Sequence, residues 1–72
     1  MAESFSQGTK VKWKWGNGYG HARVEEKFTE RITCQIKGTK VTRNATQENP
    51  AYLLEQDDGS LVLKSHSELE EA

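Results

Sequence analysis

The sequence predicts an all-β fold, a small barrel or curled sheet of five to six short strands with a short C-terminal helical turn. Three observations predict it. Apolar and polar residues alternate with period two in several short runs, the spacing of half-buried strands. Glycine-bearing turn signals separate those runs about every ten residues. The length, 72 residues, suits one domain with a modest core. That domain is expected over residues 9–72, after a polar, flexible start at residues 1–8.

The first strand begins near Thr9, with Val11, Trp13 and Trp15 on one face and Lys10, Lys12 and Lys14 on the other. Asn17-Gly18 supplies the two central residues of a type I′ turn. The register that follows sets Trp15 opposite Gly20, Trp13 opposite Ala22 and Val11 opposite Val24. On the outer face it sets Lys10 against Glu25 and Lys12 against Arg23, the latter a like-charge pair. The second strand is expected to reach Phe28 through a bulge at Glu25-Glu26, since strict alternation would turn Glu26 inward. Ile32, Cys34 and Ile36 mark a third strand, and Lys37-Gly38 turns it into a fourth over Thr39–Arg43, with Cys34 opposite Val41. A polar connection, residues 44–50, holds the single proline, Pro50. Tyr52-Leu53-Leu54 and Leu61-Val62-Leu63 then flank Asp57-Asp58-Gly59 in a second hairpin with a two- or three-residue loop. Ser65 stands three residues before Glu68, the spacing of a capping box, and opens a short helical turn anchored by Leu69.

Composition narrows the activity. Hydrophobic content of 33% and charged content of 29% fit a soluble domain, and no apolar run approaches the roughly 20 residues of a membrane helix. The start lacks the basic beginning and apolar stretch of a signal peptide, and Cys34 is the only cysteine, so the expected compartment is the cytoplasm. Residues 1–45 carry nine Lys/Arg against four Asp/Glu, whereas residues 46–72 carry one against seven. Such asymmetry marks either a basic binding surface or two halves that neutralise each other across the fold. His21, His66 and Cys34 stand at no metal-ligand spacing, and no nucleophile–base pair is visible. No cofactor, no metal and no enzyme activity are expected.

Three stretches carry a resemblance. They are Val11-Lys12-Trp13-Lys14-Trp15-Gly16-Asn17-Gly18 with Gly20, then Asn44-Ala45-Thr46 to Asn49-Pro50-Ala51-Tyr52, then Asp58-Gly59 to Leu63-Lys64-Ser65-His66-Ser67-Glu68-Leu69. Together, over roughly residues 8–70, they resemble the hypervirulence-associated Tudor-like domain family of bacteria and fungi. The resemblance implies an SH3-like or Tudor-like barrel and carries little chemistry. His21-Ala22-Arg23 stand where the family is richer in glycine, and the strand of Cys34 and Ile36 matches none of its motifs.

A Tudor-like barrel holds methylated lysine or arginine in an aromatic cage, each ring contributing about 0.5–2 kcal/mol. Trp15 and Tyr19 flank the first turn, and Tyr52 is the candidate to meet them across the barrel mouth. Trp13 and Phe28 read as core. The leading expectation is a noncatalytic interaction module that binds a protein segment or other ligand near the first hairpin through Trp15, Tyr19 and Tyr52. The alternative is a weak nucleic-acid binder that sets Lys12, Lys14 and Arg23 against phosphates while an aromatic ring stacks on a base. The pI of about 6.1 weighs against the alternative. A monomer is expected, with an exposed strand edge or the Leu53 and Val62 face as places where another chain could pair.

Overall fold

In the computed structural model, which describes residues 4–72, seven strands form two sheets. The strands are β1 (Lys10–Trp15), β2 (Gly18–Phe28), β3 (Ile32–Ile36), β4 (Thr39–Arg43), β5 (Ala51–Glu55), β6 (Leu61–Ser65) and β7 (Glu70–Glu71). A single 3-10 turn, His66–Glu68, precedes β7. The large sheet runs β6-β5-β2-β1-β7, and β3 and β4 form the small one. The all-β barrel-like prediction holds, with β7 as the strand it omitted. No helix among the described residues is long and apolar enough to cross a membrane. Of the flexible start, residues 1–3 lie outside the described residues. Of residues 4–8 only Phe5 packs against the core, the others being exposed; Phe5 N–H donates to the Tyr52 hydroxyl at 3.0 Å, and Gly8 N–H to the Val24 carbonyl at 2.8 Å.

The first hairpin forms with its register moved by two. Trp15 pairs with Gly18, Trp13 with Gly20, Val11 with Ala22, Lys12 with His21 and Lys10 with Arg23. The turn is Gly16-Asn17 rather than Asn17-Gly18. Gly16 has φ 55° while Asn17 keeps a negative φ, the pattern of a turn with glycine at its first central position. A shift of two leaves every side chain on its expected face. What decides the register is the Trp13 indole: a Cβ on Gly20 would stand 2.5 Å from Trp13 Cε2 and Cζ2, so the ring needs glycine opposite it.

The predicted bulge lies between Val24 and Glu26, and it sorts the core into two. Before it, Val24 faces the same side as Val11, Trp13 and Ala22, where Tyr52, Leu54 and Leu69 complete a buried cluster flanked by Phe5 and Val62. After it the parity is reversed, and Phe28 turns to the opposite face of the sheet. There it joins Ala45, Ala51 and Leu63, covered by Ile32, Cys34, Ile36 and Val41 of the small sheet. Phe28, expected in the core, is half-buried against this second cluster. The β3–β4 register sets Cys34 against Val41, with Lys37 (φ 51°) and Gly38 (φ 79°) as the turn. The β5–β6 loop is the three-residue form: Gln56 N–H bonds the Ser60 carbonyl at 2.8 Å, and Gly59 takes φ 85°.

The C-terminal segment folds back as a lock. Ser67 N–H donates to Asn49 Oδ1 at 3.0 Å and His66 N–H to the Pro50 carbonyl at 2.7 Å. Glu68 accepts from Ser65 N–H at 3.2 Å and pairs with Arg43 at 3.1 Å and Lys64 at 3.7 Å. Leu69 is buried in the first core, and the chain then adds β7 to the edge of β1, pairing Glu70 with Lys12 and Glu71 with Val11. The helical turn is thus shorter than a capping box suggests, because residues 70–71 are needed as a strand.

Candidate functional site

Trp15 and Tyr19 are the two exposed aromatic residues of the first hairpin, at 72% and 52%. Trp15 shares its face with Trp13, but Trp13 already fills the end of the core against Gly20, so the next inward position lies beyond it. Tyr19 pairs with Lys14 and lies on the outer face. The two rings therefore occupy opposite faces of the hairpin.

Tyr52 does not meet them. It is fully buried in the first core, and its hydroxyl bonds Phe5 N–H at 3.0 Å and His66 Nδ1 at 3.1 Å. Phe5 and His66 pack around its ring, with centroids 5.6 and 5.9 Å away. Burial pushes the phenol above its ordinary pKa, and the bond from Phe5 N–H offsets part of the rise. The reading of Tyr52 as a ligand-binding ring is corrected: period-two alternation on β5, which is covered on both faces, does not reveal which aromatic is enclosed.

Two of the chain's own cations stand over the rings that border the site. Lys12 Nζ lies 4.9 Å from the Tyr19 centroid, and Lys64 Nζ lies 5.6 Å from that of Trp13. Each ring thus has an internal partner of the type a methylated side chain would supply. A three-ring cage from Trp15, Tyr19 and Tyr52 is not assembled.

The basic residues also separate. Lys12 faces His21, not Arg23, and has Glu70 on its other side. Arg23 sits opposite Lys10 and bonds Glu55 at 3.4 Å, an exposed pair worth about 0–1 kcal/mol. Lys14 is the most distal of the three, nearest the turn. Between the upper part of β1 and the C-terminal turn lies a shallow cleft of about 230 Å³, lined by Trp13, Lys14 and Tyr19 on one side and by Ser67, Glu68, Leu69 and Glu70 on the other. Acidic and basic groups mix on its walls, which weakens it as a track for phosphates.

Elsewhere the polar groups are engaged by structure. Asp58 accepts Ser60 N–H at 2.9 Å, and that bond holds its carboxyl below the ordinary range. Among the described residues no three His, Cys, Asp or Glu side chains converge on one point. The Asn49–Tyr52 and Ser65–Glu68 motifs build the C-terminal lock and leave the first hairpin as the exposed feature. Sequence reasoning missed β7, whose signal is the acidic pair Glu70-Glu71 able to face the lysine row of β1. A family model described as the TUDOR domain of hypervirulence-associated proteins matches residues 8–69. Comparison with curated proteins and with solved structures gives no match.

Proposed function

The chain belongs to the family of hypervirulence-associated protein Tudor domains, and from that membership and the form of the hairpin we propose that it is a noncatalytic interaction module, a cytoplasmic monomer that engages a protein segment at the tip of β1–β2. The observation that carries the reading is Trp15, an indole 72% exposed beside a tight turn. An exposed indole on a regular hairpin loses little entropy on binding, and tryptophan is over-represented among residues that dominate binding energy. Tyr19 adds a second exposed ring, so the tip presents aromatic surface on both faces.

The test is a titration of the labelled protein followed by amide shifts, with methylated and unmodified peptides and with short DNA and RNA, at low and high salt. Peptide binding is expected to shift Trp15 and Tyr19 and to change little with salt. Trp15→Ala is expected to weaken it by about 30-fold or more, the loss of a contact of about 2 kcal/mol. No shift at Trp15, Tyr19, Lys12 or Lys14 with any ligand would sink the reading. Binding of DNA or RNA through Lys12, Lys14 and Arg23, with affinity falling steeply as salt rises, would replace it with the nucleic-acid alternative. Glu55 and Glu70 beside that row favour the protein partner.

A further inference from the structure

We infer that the unpaired edge of β2 at Tyr19 and His21 takes up an extended peptide as an added strand, and that the segment it prefers places an acidic residue beside Tyr19 between two apolar ones. The inference rests on the interaction-module reading and names the partner and its mode of attachment.

The direction of the main chain makes the edge available. Val24 N–H donates to the Thr9 carbonyl at 3.0 Å and the Val24 carbonyl accepts Gly8 N–H at 2.8 Å, so even-numbered residues of this part of β2 turn their main chain toward β1. Arg23, His21 and Tyr19 therefore turn theirs the other way. Arg23 meets Glu55, and there the β2–β5 ladder ends, while β2 runs on to Gly18. Among the described residues no strand pairs with Tyr19 or His21 on that side. Each offers one donor and one acceptor, in line with β5, where another strand would continue the sheet. Exposed edges are commonly blunted by proline or by a charged side chain at the edge itself. No proline, lysine, arginine or carboxylate stands at Tyr19 or His21.

The side chains on either face set the chemistry of the guest. On the inner face, the place a Cβ of Gly18 would occupy has no atom within 4 Å, and Trp15 is the residue paired with Gly18. An apolar side chain of the guest fits over Gly18 beside the exposed indole. On the outer face Lys12 leans diagonally toward the edge, its Nζ 4.9 Å from the Tyr19 centroid, and Lys14 lies directly opposite Tyr19. A carboxylate beside Tyr19 meets that ammonium. Beside His21 the charges are mixed, because Asp57 borders the same small concavity as Lys10, His21 and Arg23. The Lys12 ammonium over Tyr19, with Lys14 opposite, therefore favours the acid at the Tyr19 position and gives the guest a register. Nucleic acid has no peptide ladder with which to complete this edge.

The experiment uses the full chain, labelled for amide detection, with the capped peptide acetyl-TVTVEVTS-amide. Its companions are a lysine analogue, acetyl-TVTVKVTS-amide, an analogue methylated at alternate main-chain nitrogens, and single-stranded DNA. At saturation the glutamate peptide is expected to slow hydrogen exchange of the Tyr19 and His21 amides by about tenfold or more, since both become ladder donors. The lysine analogue is expected to bind about tenfold more weakly, and Lys12→Glu to reverse that order. The analogue methylated on the β2-facing nitrogens is expected to lose binding. Equal binding by the methylated or the lysine analogue, or shifts confined to the Trp15 indole, would overturn strand addition and leave the interaction module standing. DNA shifting the same amides with a steep salt dependence would overturn both. No response to any peptide would overturn strand addition alone, since the Trp15→Ala titration tests the broader reading independently.

Discussion

Gly20 shows how one side chain selects a register. The Asn17-Gly18 pair is a strong turn signal, and Gly16-Asn17 is nearly as good, so local chemistry leaves two registers with the same faces. The choice is made in three dimensions by the Trp13 ring, which lies where a Cβ on Gly20 would be. Gly20→Ala is expected to cost about 1–3 kcal/mol, the range for overpacking a core, read from urea denaturation. Trp15→Ala is expected to stay within about 0.5 kcal/mol of the parent in the same measurement, because an exposed indole adds little to folding. Tyr52→Phe removes the hydroxyl shared by Phe5 N–H and His66, at about 1 kcal/mol for the Phe5 bond. The same variant has a pH signature. Burial raises the Tyr52 pKa in the fold, so as pH rises past the ordinary value near 10 the unfolded chain loses its proton first. Stability falls with pH in that window, and Tyr52→Phe is expected to flatten the fall in melting temperature between about pH 9.5 and 11. The enclosure of Tyr52 was not legible in sequence, since an aromatic at a strand start looks the same whether one face is covered or both.

The bulge in β2 does more at the level of elements than its single residue suggests. The conflict that announced it, Glu26 on the apolar parity, was readable in the sequence. Its result, Phe28 passing to the opposite face to found a second core, depends on where β3 and β4 fold back. The hairpins themselves were legible because turn chemistry and alternation agreed, as at Lys37-Gly38. β7 was not, since two glutamates form no recognisable strand until the Leu69 anchor delivers them to β1. The β3–β4 turn also holds the one non-glycine residue with a positive φ among those described, Lys37 at 51°. Lys37→Asn, which tolerates that conformation better, is expected to raise stability by about 0.5–1 kcal/mol in thermal denaturation.

The whole molecule is a five-stranded sheet with a small sheet leaning on one end of one face. The first core contains fully buried side chains, Val11, Tyr52 and Leu54, whereas Phe28, Ile32, Cys34, Ile36 and Val41 around the second are only half-buried. Hydrogen exchange is expected to report this difference, with β3 and β4 amides exchanging before those of β2 and β5. The charge asymmetry along the chain is resolved at this scale. The acidic C-terminal part returns to the basic N-terminal part as Glu70 beside Lys12, Glu55 on Arg23 and Glu68 on Arg43. Neutralisation across the fold, one of the two readings of that asymmetry, accounts for much of it.

The two indoles of this hairpin differ in one further respect. Trp13 is 6% exposed and Trp15 72%, two residues apart on the same strand and face. Their emission therefore arises from two environments, one dry and one wet. A small soluble quencher such as iodide reaches only the second, drawn there by neighbouring Lys14, so the protein carries its own optical reporter at the surface where a partner is expected to land.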